Sequence, residues 1–223
     1  MTGTASVSAL KEAKEAWASN ITGLSDEDIG ERARGLAVLV RAIARDGILR
    51  ADRFAQIMKF DLETAKEMFA ALAAIGAETD ESDNIVGAYV TGSETPFKLR
   101  VIAKDLYAWS ALHALFIPGI LGAAATIDSL CPVSGRALRI RVSGRSVRSL
   151  TPSDVWLSVF LPSRGPSRLG PDSQACRQMK FFGDRETAEA WVKERSAVIA
   201  LSLEDAFELA LAHWVDRIKR AKS

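Results

Sequence analysis

Cysteine and histidine are scarce in this 223-residue sequence, with two of each. Two cysteines exclude a disulfide-built scaffold. With His113, Cys131, Cys176 and His213 as the whole stock of cysteine and histidine, a single four-ligand zinc site is the upper limit, and the spacing has no finger-like pairing. Charge bias is also missing. Lys and Arg total 29 against 28 Asp and Glu, so nothing drives the chain as a whole towards nucleic acid or an anionic membrane. Long apolar runs are absent too. The longest, from Ala114 to Ala125, is too short to span a bilayer and holds Pro118, Gly119 and Gly122. The first residues, MTGTASVSALKEAKEAW, lack a signal-peptide layout, so a cytoplasmic protein with reduced thiols is the expectation. Phosphate-cradling glycine motifs, HExxH and GxSxG elbows are not found.

What is present is enough apolar content, 48%, for a substantial core. Residues 1–25 form a polar segment, mobile or carrying a short helix over Ser8 to Ala18. Helical periodicity then runs from Asp28 to Arg45, a second helix covers Arg50 to Lys59, and Asp61 caps a third from Thr64 to Ile75. Ile85 to Thr91 and Phe97 to Ile102 read as a strand pair joined by a turn. Three helices and a hairpin are the order of a winged helix, which makes 26–103 a winged-helix-like domain. Its third helix offers only Lys66 against several acids, which argues against DNA reading and for a packing module.

The remainder, 104–223, opens with a dense helix from Asp105 to Phe116, ending before Pro118. Strand-like segments follow at Ala124 to Ile127, Leu138 to Val142, Val155 to Phe160 and Met179 to Phe182, with a long turn-rich stretch from Ser163 to Ser173. A helix from Glu186 to Arg195 opened by Asp184, a strand from Ala197 to Ser202 and a closing helix from Leu203 to about Arg220 complete the chain. The fold class is therefore α+β. A winged-helix-like three-helix and hairpin part precedes a mostly antiparallel sheet flanked by helices.

Three residues carry candidate chemistry. Ser110 and His113 lie three apart on the expected helix and share a face. Cys176 follows a Gly/Pro-rich loop and precedes a strand, where a thiol can react or bind a soft metal. On spacing alone the plainer reading is favoured, with Cys176 a small buried apolar residue and His113 an ordinary helix residue. Cys131, in the CPVSG turn, reads as structural, and His213 as a packing residue beside Trp214. The basic stretch with Arg139, Arg141, Arg145 and Arg148 reads as a solvated strand face that can also hold an anion.

The stretches DNIVGAYVT, LYAWSALHALFIPGILG, CPVSG, ACRQMKFF and ALSLEDAFELA, in that order and spacing, resemble the organomercurial (alkylmercury) lyases from about Gly35 to the closing helix. The resemblance implies an N-terminal winged-helix-like part and a C-terminal domain with an antiparallel sheet. It also implies a chemistry, in which two thiolates capture mercury and an aspartate beside them moves a proton to the departing carbon. Thiolates suit the soft Hg(II) ion, and the leaving carbon must be protonated as its bond breaks. The family's first cysteine, in a pattern like LYAWCALD, falls on Ser110, and the aspartate three residues later falls on His113. The second cysteine falls on Cys176, and a further structural cysteine falls on Cys131.

With a hard hydroxyl at position 110 and an imidazole at 113, bis-thiolate capture within the chain is lost. The resemblance therefore implies an alkylmercury-lyase-like enzyme with a Ser110, His113 and Cys176 pocket. It would work on another small substrate by acid/base or cysteine chemistry and be inefficient on organomercurials. No cofactor is required by the sequence. The alternative is a binding protein without turnover, holding copper, zinc or mercury at His113 and Cys176. A winged-helix DNA-binding regulator ranks below both. The partners implied are a small molecule or a metal ligand, with no membrane and no nucleic acid.

Overall fold

The computed structural model describes residues 3–19, 26–101, 104–162, 170 and 172–215. Helix α1 (Gly3–Ser19) is followed by α2 (Asp26–Asp46), α3 (Ala51–Met58) and α4 (Leu62–Ala74). Asp61 caps α4 by accepting from the Thr64 N–H at 2.9 Å, as its place before the helix suggests. One face of α2 buries Ala37, Val40 and Ile43, whose spacing keeps them on a single stripe.

The main sheet has eight strands: β1 (Glu78–Thr79), β2 (Ile85–Ala88), β3 (Val90–Thr91), β4 (Lys98–Val101), β5 (Lys104–Ala108), β6 (Ala125–Leu130), β7 (Ala137–Ser143) and β8 (Ser146–Thr151). Their order is β1-β2-β3-β5-β4-β6-β7-β8, and every pairing is antiparallel. A second antiparallel sheet sets β9 (Trp156–Phe160) between β10 (Phe181–Phe182) and β11 (Val198–Ser202). The class is α+β with mostly antiparallel strands, as the sequence indicated.

Three local expectations are corrected. The two segments expected to pair, 85–91 and 97–102, are separated in the sheet by β5, which bonds β3 on one side and β4 on the other. The hairpin that follows the three helices is β1–β2, with Thr79 opposite Ile85. Residues 105–108 are strand rather than helix. The helix α5 (Ala111–Leu121) starts only after Ser110 and runs through Pro118. A proline inside a helix removes one hydrogen bond and costs about 3 kcal/mol or more. Here the helix is buried on nearly every side, including Leu112, Leu115, Phe116 and Ile117, so packing outweighs that loss. Its end is closed by Gly122 in the left-handed region (φ 69°), whose N–H meets the Pro118 carbonyl. Arg41 of α2 adds two bonds to the Ile120 carbonyl, at 3.2 and 3.0 Å.

Strand β8 and the one-turn helix α6 (Gln174–Gln178) are two further elements, each adjoining a turn-rich stretch. Most of the Ser163 to Ser173 stretch, and the closing helix past residue 215, lie outside the described residues. Helix α7 (Arg185–Lys193) is capped by Asp184, as expected. Helix α8 (Leu203–Ala210) continues into a π-helical turn at Leu211–Val215. Among the described residues no helix is long and apolar enough to cross a membrane.

Candidate functional site: a buried thiol–imidazole pair

Strand β5 leads through Trp109 to Ser110, where the chain turns into α5. Ser110 is fully buried and adopts extended backbone (φ −154°, ψ 167°). Its hydroxyl accepts from the His113 N–H at 3.3 Å, capping the helix. Ser110 is therefore the residue before the helix rather than a member of one helical face with His113. The side chain of His113 points into the core and is 3% exposed.

Cys176 arrives from a distant part of the chain. Ser173 caps α6 by accepting from the Cys176 N–H at 3.2 Å. The turn after α6 is tied to the start of α5 by a bond from the Ala111 N–H to the Met179 carbonyl, 3.1 Å. That seam brings the Cys176 Sγ to 4.0 Å from His113 Nδ1. The turn is further held to β9, where Ser158 donates to the Gln178 carbonyl (2.6 Å) and accepts from the Lys180 N–H (2.9 Å). Cys176 thus sits in a short helix, and at 3% exposure it is less open than a loop-to-strand thiol. It forms no disulfide.

Burial sets the protonation states. It lowers the His113 pKa to about 3, so the imidazole is neutral at pH 7. It raises the Cys176 thiol to about 11, offset in part by the Ser173 hydroxyl and the Lys180 charge. Lys180 is half-buried. Desolvation lowers its pKa, and a charge on Cys176 would raise it. The pair at rest is therefore thiol and neutral imidazole, not thiolate and imidazolium. The imidazole can accept the thiol's proton when a ligand takes the sulfur.

Aromatic rings wall this pair. Tyr89 meets the His113 ring edge-on at 4.9 Å, stacks on Trp109 at 5.9 Å and meets Phe116 at 5.9 Å. Phe116 also meets His113, at 5.5 Å. The Trp109 indole N–H donates to Glu78 Oε1 (2.8 Å), and the Thr91 hydroxyl donates to Glu78 Oε2 (2.7 Å). Glu78 occupies the space beside Gly87, where an added Cβ would lie 2.4 Å from Oε2.

The other candidates lie elsewhere. Cys131 is buried in the turn between β6 and β7. Burial raises its pKa, but hydrogen bonds from Ser134 and from the backbone of Gly183 and Val133 outweigh it, and the net shift is downward. His213 packs edge-on against Trp17 at 5.1 Å, far along the chain from α5. Arg139 pairs with Asp128 at 2.6 Å on the rim of an open groove of about 740 Å³ that includes Lys98 and Tyr107. Among the described residues, no group of three or more His, Cys, Asp or Glu side chains converges as a metal cage.

The site is thus a soft-ligand thiol beside a proton acceptor, carried on an α+β scaffold. The sequence model of the alkylmercury lyase family (MerB) matches residues 90–215, more than half of the chain and all of the segment from β3 to the π-helical turn. The chain belongs to the alkylmercury lyase family. It is 32% identical to an alkylmercury lyase of Bacillus cereus over 148 residues, 66% of each chain. It is 31% identical to one of Pseudomonas putida over 142 residues, 63% of this chain and 66% of that one. An alkylmercury lyase of Streptomyces lividans is 28% identical over 171 residues, 77% of each. The match thus spans just under two thirds of the Bacillus and Pseudomonas enzymes. Among solved structures, the mercury-bound form of MerB2 superposes with a TM-score of 0.71, covering 96% of this chain and all of that one, at 19% identity. At that identity the likeness speaks for the fold.

Proposed function

We propose that this chain is an alkylmercury-lyase-like enzyme that uses one thiol, Cys176, to capture a small soft electrophile, and His113 to handle the proton, with Ser110 fixing the start of the helix that carries His113. The observation that carries the reading is the 4.0 Å contact between Cys176 Sγ and His113 Nδ1 inside a buried site. Capture of an organomercurial cation forms a sulfur–mercury bond and releases the thiol proton to the imidazole. The imidazolium so formed is a strong acid, because burial holds the His113 pKa near 3. It is therefore a competent donor to a departing carbon: the carbon–mercury bond breaks, the hydrocarbon leaves with the proton, and Hg(II) stays on the sulfur.

The same burial makes the first proton transfer uphill, and position 110 supplies no second sulfur for the product ion. Organomercurial turnover is accordingly slow, and the substrate in use is another small thiol-reactive molecule. In this reading 26–103 is a winged-helix-like packing module, 104–223 bears the site, and a cytoplasmic setting keeps both thiols reduced.

A second reading, a protein that holds a transition metal without turnover, draws on the same pair. A nitrogen and a sulfur 4.0 Å apart can share one cation with little movement, given bonds of about 2.0 and 2.3 Å to zinc.

The test uses untagged purified chain and methylmercury chloride. One equivalent bound through Cys176 with methane release far below that of the Bacillus cereus enzyme is expected, and Cys176→Ala should abolish the binding. Release matching that enzyme would overturn the reading. One equivalent of copper or zinc retained through purification, and lost in Cys176→Ala and His113→Ala, would favour the second. Ser110→Cys combined with His113→Asp should raise methane release.

A further inference from the structure

The thiol–imidazole pair is closed to solvent, so a ligand reaches Cys176 only if something moves. Ser110, His113, Trp109, Phe116 and Cys176 are all buried, whereas Tyr89, which touches three of them, keeps part of its surface exposed. Tyr89 is the apex of a sharp reversal between β2 and β3, where Ala88 pairs directly with Val90. Its φ is 64°, a left-handed conformation that a bulky aromatic residue rarely adopts. Such a conformation persists only when the surroundings impose it. Here the Trp109 N–H bonds the Tyr89 carbonyl at 3.1 Å, and the ring is wedged between Trp109, His113 and Phe116. The ring thus enters the site from a surface turn. Its hydroxyl end is deep enough for burial, and secondarily a charge on Cys176, to push its pKa up.

We propose that Tyr89 is the plug of the site: its ring, inserted from the β2–β3 apex, closes the route to the Cys176 thiol, and the opening left when it shifts sets the size of the thiol-reactive ligand that enters. The proposal rests on the reading of Cys176 as the capturing thiol. Small electrophiles pass with slight displacement of the ring, and aryl electrophiles need it withdrawn. A bent apex under conformational strain is suited to such movement, because the strain is released when the ring leaves its slot.

The variant that tests this is Tyr89→Gly, which removes the ring and adopts the left-handed backbone without strain. Native protein is labelled with iodoacetamide or with N-phenylmaleimide, and the label on each cysteine is quantified by peptide mass. In Tyr89→Gly, labelling of Cys176 by the bulky maleimide should rise at least about tenfold more than labelling by iodoacetamide, with Cys131 unchanged and Tyr89→Phe matching the parent. An equal rise at Cys131 and Cys176 would mean general loosening and would overturn the plug, as would no change at Cys176. If Cys176 opens to the maleimide as described but the parent chain fails to bind methylmercury, the plug stands and the proposed function falls. If the parent binds methylmercury and Tyr89→Gly labels like the parent, the reverse holds.

Discussion

The Cys176 sulfur and the His113 Nδ1 lie 4.0 Å apart, and burial keeps both groups uncharged at neutral pH. Reactive thiol–imidazole pairs are normally poised the other way, as thiolate and imidazolium. The charge separation here must therefore be driven by the ligand that takes the sulfur.

Acid should destabilise the fold through His113. Its folded pKa of about 3 lies below the ordinary value of 6.5, so the unfolded chain binds the extra proton. The contribution is fully present above pH 6.5 and is lost as pH falls towards 3, up to roughly 5 kcal/mol in all. Urea melts at pH 7, 5.5 and 4.5 should show this loss, and His113→Leu should flatten it.

Cys176 should alkylate slowly at pH 7.5, with a rate that climbs about tenfold per pH unit towards pH 11. Iodoacetamide rates resolved by peptide mass measure this. A plateau reached by about pH 9.5 would show an ordinary thiol.

Glu78 should matter through its two acceptor oxygens. Glu78→Ala leaves the Trp109 indole N–H and the Thr91 hydroxyl without that partner, at a cost of about 1–3 kcal/mol. Gly87→Ala should reproduce most of the effect, because the new Cβ displaces the same carboxylate. The double variant should then fall well short of the sum, a coupling that thermal melts of the four proteins would reveal.

Arg41→Met should cost about 1.5–3 kcal/mol, since it removes two charged hydrogen bonds from the C-terminal end of α5. Chemical denaturation gives the number, and a change below the error of the fit would assign the clasp no energetic role.

Much of the fold was legible from local chemistry. Asp61 and Asp184 announce their helices because a carboxylate before an apolar-periodic run satisfies the first free N–H groups. The stretch around LYAWSALHALF misled because it is apolar throughout. A strand and a buried helix both lack a polar face there, so periodicity cannot place the boundary at Ser110. Pro118 misled because a fully packed helix tolerates the bond it loses. Of the candidate site, His113 and Cys176 were named from the sequence, while their contact depends on the Ala111–Met179 bond, which no local pattern encodes. Tyr89 was hidden because its role comes from a left-handed apex that only the sheet around it imposes.

The bond between Ala111 and Met179 joins two segments that leave the ribosome at different times. His113 is made 63 residues before Cys176, and the strands β6 to β9 lie between them. Until those strands have paired, α5 has nothing to hold Cys176 against, and the thiol of the nascent chain is open to any oxidant or soft metal it meets. The shielding of Cys176 is thus a property of the folded chain, acquired late and absent while the chain is still being made.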